Sequence, residues 1–429
     1  MDVSADTLKG NVEAIKKSDT LFDRVMVGWF TVGVFLLLAG MFLVTKRTGF
    51  TTIVYAFLVL PALIVLVSDL RNAFSKIYRL DVLLPISLVC YLILSSVWGG
   101  GGSTGDYIKR GLCAILTCYG LCYFSKKDAP KMELAVISAI VCVACACIFW
   151  IVDFYVLMGN PLSERFMAGQ SDYFSLYKDG YYAAFFNPLR LSHVLTFMFF
   201  MTIAAFCYFS LRGLVVKGLV VLSAVSIGLL IFFAQTRTAW LLCGGAIGLA
   251  VFNRWGWKGI AGYMAIAVAA AFFFMQIDHS VVNRGLSYRP EIWAAGIEKI
   301  EGAWWIGRGL GAEMLLHIEG VSYPFAEAHN IYIMMAYYGG GVALAIWFLS
   351  VFFVLIKPFL KDGLNLWVAL WGSLFLLGGM TDGAGLLSRP NEHWFTLVIP
   401  LAFLYFSAAR NSSPMIKLWG GKKEALVDG

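Results

Sequence analysis

Residues 218–253 read GLVVLSAVSIGLLIFFAQTRTAWLLCGGAIGLAVFN, two apolar runs separated by Gln235-Thr236-Arg237-Thr238. Each run approaches the ~20 residues that an α-helix needs to cross a bilayer, so the stretch predicts two transmembrane helices joined by a short turn. The turn is too short to carry Arg237 far from the membrane. A cation held there is costly and indicates a functional site with an anionic partner, although snorkelling to lipid headgroups is an equally good explanation for one residue.

The same pattern extends over the whole chain. Hydrophobic residues make up 60% of the 429 positions and charged residues 14%. Soluble domains carry about 25% charged residues, so most of this surface is not built to face water. We therefore predict an all-α, polytopic integral membrane protein with about twelve transmembrane helices. The predicted spans lie near 26–45, 50–68, 82–100, 107–124, 134–158, 191–211, 218–235, 238–253, 259–277, 329–356, 364–380 and 394–409.

An even number of spans places both termini on one side of the membrane. Lysines are concentrated in the short segments on that side, which the positive-inside rule assigns to the cytoplasm. We predict a cytoplasmic N-terminal segment 1–25 without a cleavable signal peptide, a membrane domain 26–409 and a cytoplasmic tail 410–429. The basic residues of the outer side are mainly arginines. Orientation requires only charge, so this bias favours a role in planar anion recognition.

Two outer loops, about 159–190 and 278–328, are long enough to have structure of their own and form the predicted active-site face. The first is rich in aromatic residues, which form either an interfacial belt or a stacking surface for sugar rings. These residues are Tyr173, Phe174, Tyr177, Tyr181, Tyr182, Phe185 and Phe186. The second is predicted to contain a short surface helix over Pro290–Glu301, ended by Gly302, and then a tight backbone passage marked by glycines 307, 309 and 311.

His329 is the candidate catalytic base. It stands where the second loop re-enters the membrane, beside the polar Asn330. Imidazole changes protonation near neutral pH, so a histidine can take a proton from an attacking hydroxyl. On position alone a helix-capping or interfacial histidine is the more ordinary interpretation. The neighbouring arginines shift the balance towards catalysis.

Arg190, Arg237 and Arg289 are the candidate anion-binding residues, all at the outer ends of predicted spans or in a loop beside them. The guanidinium fork matches phosphate oxygens at two points. Trp293 follows Arg289 by four positions, so its ring can pack beside the arginine stem on one helix face. Any one of these arginines has an ordinary explanation as an interfacial or solvated charge, but their convergence favours a diphosphate site.

The sequence favours neither a metal nor a cofactor. His317, Glu319 and Glu327 lie near His329, but residues two apart on a helix point in different directions, and the outer loops have no Asp-x-Asp pair. Arginines can supply the positive charge that a divalent cation would supply. No P-loop or dinucleotide-binding glycine pattern stands in the required context, and no basic soluble domain could bind nucleic acid.

These motifs, taken in order, resemble the O-antigen ligase family, part of a superfamily that also contains O-antigen polymerases and protein O-oligosaccharyltransferases. The resemblance rests on Gln235-Thr236-Arg237-Thr238, Arg289-Pro290-Glu291-Ile292-Trp293, the glycine run 307–311 and His329-Asn330. It implies an enzyme of the bacterial inner membrane that moves a glycan from undecaprenyl diphosphate to lipid A–core oligosaccharide on the periplasmic face. It also implies that His329 is the base and that Arg190, Arg237 and Arg289 bind the diphosphate, with Asn330 and Trp293 beside them.

The expected reaction is a direct displacement that inverts the anomeric centre, since no carboxylate stands out as a covalent nucleophile. Three alternatives remain. An O-antigen polymerase would use the same donor, and a protein O-oligosaccharyltransferase usually has a longer C-terminal region. A flippase or transporter of polyprenyl diphosphates would place key charges near mid-membrane and on both faces, whereas the candidates here lie on one face.

Overall fold

The computed structural model describes residues 20–44, 47–70, 79–167, 187–277, 288–362, 365–381 and 385–407. The predicted tail 410–429, most of the predicted N-terminal segment and the aromatic stretch 173–186 of the first outer loop lie outside these ranges. The described residues form helices and connecting loops, with an isolated antiparallel bridge between Leu316 and Phe325. In chain order the helices are α1 (Leu21–Leu43), α2 (Arg47–Val54, Tyr55–Val59 and Leu60–Ser68), α3 (Leu80–Ser95), α4 (Thr104–Lys127), α5 (Ala129–Ile151 and Val152–Leu157), α6 (Pro188–Tyr208), α7 (Leu214–Phe233), α8 (Arg237–Ile277), α9 (Arg289–Glu298), α10 (Ile331–Val351, Phe352–Ile356 and Lys357–Asp362), α11 (Leu366–Ser373, Leu374–Gly378 and Gly379–Thr381) and α12 (Val398–Ser407), with a 3₁₀ turn at Glu392–Phe395 before α12.

Every predicted span overlaps one of these helices, which confirms the α-helical prediction. Within the described ranges, 6 helices are long and apolar enough to cross a membrane, and three shorter apolar helices accompany them. The 16 residues of α3 rise only ~24 Å, less than a hydrocarbon core of ~30 Å. Helix α4 carries charged residues in its first two turns. The number of about twelve transmembrane helices therefore stays a prediction.

Helix α8 folds back on itself at Gly256, whose φ of 62° and ψ of −150° are not helical. The Tyr263 hydroxyl donates a hydrogen bond to the Gly244 carbonyl at 2.7 Å, so the two arms lie side by side. These arms correspond to the predicted spans 238–253 and 259–277. Glycine permits the reversal because it lacks the Cβ that makes this conformation costly for other residues.

Helix α6 forms the centre of the bundle. Residues 191–202 are buried on every side, as is expected for a helix surrounded by other helices. The Phe197 ring lies 5.2 Å from the ring of Trp371 in α11 and 5.2 Å from that of Phe395 in the 3₁₀ turn, measured between centroids. The start of α6, and Arg190 with it, is therefore held by a rigid aromatic core.

The two ends of the bundle are distinguished by the contacts between loops. At one end, Ser192 near the start of α6 donates a hydrogen bond to Thr236 in the α7–α8 turn at 2.9 Å. At the other end, the Tyr208 hydroxyl donates to Asn365 at 3.1 Å, joining the end of α6 to the start of α11. We call the first of these the site end, because α6, α8 and α10 begin there and the predicted site residues Arg190, Arg237 and His329 stand at or just before those helix starts.

The loop between α9 and α10 has its own small core, formed with the first turns of α10. Buried side chains from the loop, from α9 and from α10 pack together in it; they include Ile292, Ile300, Met314, Leu316, Ile318, Ala328, Ile333 and Met334. Helix α9 runs over Arg289–Glu298, and a turn then leads to Gly302, whose φ is 79°. The predicted helix Pro290–Glu301 therefore began one residue late and ended three residues late, because the last turn closes with tighter hydrogen bonds such as Ile300 N to Ile297 O.

The glycine run 307–311 forms a tight backbone passage, as predicted, and it lies against α3, the α3–α4 connection and α10. Helix α10 is broken at Gly340, where φ is 64°, and the loop supplies hydrogen bonds at the break. The Gly341 amide donates to the Trp304 carbonyl at 2.6 Å, and the Gly309 amide donates to the Tyr338 carbonyl at 2.9 Å. Because these bonds replace those lost from the helix, the loop and the broken helix stabilise one another.

Candidate functional site

Each predicted charged or catalytic residue stands at the beginning of a helix. Arg190 lies in the first turn of α6, Arg237 and Arg289 open α8 and α9, and His329 lies two residues before α10. The first turn of a helix has amide groups without intrahelical partners and a partial positive charge. The four residues are therefore placed where backbone and side chains together favour an anion.

The backbone is strained at three of these places. Among the described residues, the non-glycine residues with positive φ are Gln235 (49°), Tyr288 (56°) and His329 (49°). Such conformations are uncommon outside glycine and cost of order 1–3 kcal/mol each. Gln235 precedes Arg237 by two positions, Tyr288 precedes Arg289, and His329 is itself a candidate. Strain that coincides with independently chosen residues supports their assignment to a site.

Arg190 forms an ion pair with Glu392. Its Nη1 atom lies 3.2 Å from Oε1 of Glu392, and the two side chains are 35% and 2% exposed. His393 Nε2 lies 3.6 Å from the same oxygen. The Asn391 side chain accepts hydrogen bonds from the His393 amide at 3.1 Å and from Ser388 at 3.0 Å, which fixes this turn. The pair therefore joins the central helix to the α11–α12 connection.

Hydrogen bonds to α6 and to the connection after α5 hold the turn that contains Arg237. Thr236 accepts the hydrogen bond from Ser192 described above. From the connection after α5, Arg165 Nε donates to the Ala234 carbonyl at 2.9 Å, and the Gln235 side chain donates to the Ser163 carbonyl at 3.1 Å. Arg190 and Arg237 are thus brought to neighbouring parts of the site end.

Arg289 and Trp293 belong to α9, which packs against the start of α10. Gly296 lies so close to Ile333 and Ala328 that an added Cβ would contact both at 2.9 and 3.3 Å. The indole N–H of Trp293 is buried and has no hydrogen-bond partner among the described residues. Buried donors are normally paired, so this one is a candidate contact for a bound ligand.

His329 is positioned by its neighbour. The Asn330 side chain is the N-cap of α10: its oxygen accepts hydrogen bonds from the amides of Tyr332 at 2.9 Å and Ile333 at 3.3 Å. Asn330 is 6% exposed. These contacts give Asn330 a structural role in placing His329, in addition to the substrate contact that the sequence predicted.

Arg190 and Arg237 thus lie at helix starts that the Ser192–Thr236 hydrogen bond joins, and Arg289 and His329 lie on α9 and just before α10, which pack together. Leu386, in the α11–α12 connection, packs against both the main core and the small core of the α9–α10 loop. The same connection carries Glu392. It therefore contacts both the main helix bundle and the small core of the α9–α10 loop.

The sequence analysis missed Glu392, Ser192 and Thr236. Glu392 carried a usable signal, because an acidic residue at the edge of a membrane span is costly and is commonly functional. Ser192 and Thr236 carried none, since hydroxyls are frequent in membrane helices. His317 and Glu319 are exposed, and within the described ranges no three His, Cys, Asp or Glu side chains are grouped as metal ligands.

Comparisons with known proteins find similarity to O-antigen ligases. Residues 219–348 match the family model described as O-Antigen ligase, and this segment contains Arg237, Arg289, Trp293 and His329. The chain is also similar to the O-antigen ligase of Pseudomonas aeruginosa strain PAO1, with 25% identity over 391 residues. That alignment covers 89% of this chain and 91% of the relative, so it includes Arg190.

Proposed function

We propose that this chain, a member of the O-antigen ligase family, transfers an O-antigen glycan from undecaprenyl diphosphate to lipid A–core oligosaccharide. The proposal rests above all on the placement of three arginines and a histidine at helix beginnings on one end of the bundle. A lipid diphosphate carries the charge that this end can bind, and its apolar tail suits a protein with this hydrophobic surface.

The arginines would act on the leaving group. As the anomeric bond breaks, negative charge grows on the diphosphate, and donors fixed around it stabilise the transition state more than the ground state. Arg190 is already held by Glu392 through Nη1, so Nη2 and Nε of its fork can contact the diphosphate. The guanidinium groups of Arg237 and Arg289 would also bind the diphosphate, together with the backbone amides at the start of α8 and α9.

His329 would take the proton from the acceptor hydroxyl as it attacks the anomeric carbon. Direct attack opposite the leaving diphosphate inverts the configuration at that carbon. The strained backbone of His329 and the cap formed by Asn330 support this role because they fix the imidazole at the start of α10. The reaction would need no cofactor, since the bond from the anomeric carbon to the diphosphate breaks and undecaprenyl diphosphate is already a good leaving group. We propose that it also needs no metal.

We further propose that the site end faces the periplasm and that both termini face the cytoplasm. Among the described residues, Lys126, Lys127 and Lys131 lie near the end of α6, opposite the site end, and the positive-inside rule assigns such lysines to the cytoplasm. This orientation would give the arginines access to a glycan already carried across the inner membrane.

The test is a reaction with purified protein, a glycan linked to undecaprenyl diphosphate and lipid A–core, in the absence of nucleotide. We expect glycan on lipid A–core, at the same rate with and without EDTA. Elongation of the donor glycan itself would identify a polymerase instead. Transfer that EDTA abolishes and Mg²⁺ or Mn²⁺ restores would overturn the metal-independent mechanism, and no glycan transfer at all would overturn the proposed function.

A further inference from the structure

A polar pocket at the site end is lined by none of Arg190, Arg237, Arg289 and His329. It has a volume of about 470 Å³ and is lined by Thr48, Thr51, Thr52, Arg110, Ser388 and Arg389. It brings together α2, α4 and the α11–α12 connection, with the Thr51 hydroxyl donating to the Pro390 carbonyl at 3.4 Å. Two guanidinium groups and several hydroxyls in one pocket are a donor set suited to an anion.

The positive charge of this pocket is only partly balanced. Asp106 is the carboxylate shared by both arginines: its Oδ2 lies 3.3 Å from Nη2 of Arg389 and 3.9 Å from Nη2 of Arg110. The second distance is long for an ion pair, and one carboxylate cannot neutralise two guanidinium groups. The pocket therefore keeps a net positive charge.

Arg110 lies over the Tyr107 ring, 5.0 Å from its centroid, and is only partly hydrogen-bonded. It stands six residues after Thr104, about 9 Å along α4, and its side chain is 24% exposed. Its Nη1 reaches the Leu387 carbonyl only at 3.5 Å, the limit of a hydrogen bond. Its Nε is buried without a partner among the described residues. A guanidinium so placed at the edge of the membrane is costly unless an anion completes its contacts.

An apolar slot begins beside the same residues. It has a volume of about 610 Å³, within the ~300–1,000 Å³ typical of small-molecule sites, and its walls come from α3, α4, α10, α11 and α12. Leu387 lines the slot, while Ser388 and Arg389, the next two residues, line the polar pocket. Slot and pocket therefore share one wall.

Helix α4 provides a second connection between them. Arg110 lines the pocket, whereas Ala114, Cys118 and Cys122 line the slot. These positions are four residues apart and form one stripe along the helix. The stripe begins at Arg110, at the site end, and runs towards Lys126 at the opposite end. A charged pocket adjoining a long apolar slot has the shape and polarity of one anionic lipid.

We propose that the polar pocket and the slot bind a single anionic lipid, with its phosphate on Arg110 and Arg389 and one hydrocarbon chain in the slot. Resting on the proposed function, this lipid is the acceptor. Arg389 is three residues from Glu392, the partner of Arg190, and three residues span at most about 11 Å. The acceptor headgroup would thus lie beside the diphosphate of the donor.

Lipid binding is tested by the thermal stability of the purified protein in neutral detergent. Dioleoyl phosphatidylglycerol should raise the melting temperature, whereas dioleoyl phosphatidylcholine and inorganic phosphate should not. The shift should be lost in Arg389→Gln and Arg110→Gln and retained in Arg212→Gln, which removes the same charge from an exposed loop. Arg389 is 55% exposed, so its variant is expected to fold even where Arg110→Gln does not. Cys118→Phe, which fills the slot, should also remove the shift.

Several outcomes would overturn the proposal. Equal shifts with both phospholipids would remove the role of charge, and an equal shift with inorganic phosphate alone would show a free-anion site. A full shift in Arg389→Gln would exclude the pocket, and a full shift in Cys118→Phe would exclude the slot.

The acceptor assignment is tested by kinetics. Arg389→Gln should raise the KM for lipid A–core about 10-fold, as for one lost charge-assisted contact, and leave donor KM and saturated kcat unchanged. A rise in donor KM instead would assign the pocket to the donor and overturn the acceptor assignment. If wild-type protein transfers no glycan, the proposed function fails, and the melting shifts still decide whether the lipid binds.

Discussion

Nη1 of Arg190 lies 3.2 Å from Oε1 of Glu392, a carboxylate that is 2% exposed and comes from a segment 202 positions away in the chain. A buried carboxylate is costly unless a cation pairs with it. Arg190 is 35% exposed, so one side of its guanidinium faces the buried acid and the rest faces outward. We interpret Glu392 as the residue that fixes the direction of Arg190.

Glu392→Gln should therefore lower transfer by weakening the placement of Arg190. Glutamine keeps the size of the side chain and loses its charge, and a lost charge-assisted contact corresponds to about 10- to 150-fold. The measurement is a double-mutant cycle of kcat/KM for the donor with Arg190→Gln. If Glu392 acts through Arg190, Glu392→Gln should have little further effect in the Arg190→Gln background. Independent, multiplicative losses would contradict this positioning role.

His329→Asn should lower the rate of transfer by about 10²–10⁴-fold, the usual contribution of a general base. Asparagine is preferable to alanine here because His329 has a φ of 49°, a conformation that asparagine tolerates well. The variant removes the base with little change in backbone strain, so donor binding and melting temperature should be retained. His317→Asn, an exposed histidine in the same loop, is the matched control. Near-normal turnover in His329→Asn would exclude His329 as the base.

The helices could be predicted from sequence because their signal is local. An apolar run of sufficient length specifies a membrane helix wherever it occurs. The break at Gly256 falls in the connection expected between the predicted spans 238–253 and 259–277. The break at Gly340 was not predicted, since glycine is also an ordinary packing residue in membrane helices. The break at Gly340 depends on hydrogen bonds from residues 304–309, which no local pattern reveals.

The sequence predicted the end of the helix bundle at which the site residues lie, but not which residues contact them there. Arg190, Arg237 and His329 stand at the starts of apolar runs, so their common end of the bundle follows from counting spans. Their partners follow from tertiary packing instead: the hydrogen bond from Ser192 to Thr236 joins two different helices, and Glu392 reaches Arg190 from the far end of the chain. Positive φ at a histidine has no sequence signature at all.

Gly309→Ala should greatly reduce the amount of folded protein. Gly309 has a φ of 87°, and an added methyl group would overlap the Ser95 carbonyl and the backbone of Gly99. The matched control is Gly320→Ala, where φ is 79° and no atom lies within 4 Å of the added methyl group. The control carries only the left-handed strain of about 1–2 kcal/mol. Monodisperse yield and melting temperature distinguish the two. Equal losses would show that the close passage against α3 contributes little to stability.

Arg237→Lys and Arg289→Lys should each reduce transfer strongly although the charge is kept. If these residues only orient the chain or reach lipid headgroups, lysine should serve nearly as well. If they bind the diphosphate at two points, lysine loses the planar fork, and the loss of one charge-assisted hydrogen bond corresponds to about 10- to 150-fold. Activity is compared at equal membrane expression and saturating acceptor, with Arg212→Lys, an exposed arginine away from the site end, as the control. Wild-type activity in both site variants would exclude a bidentate diphosphate clamp and leave Arg237 and Arg289 as interfacial charges.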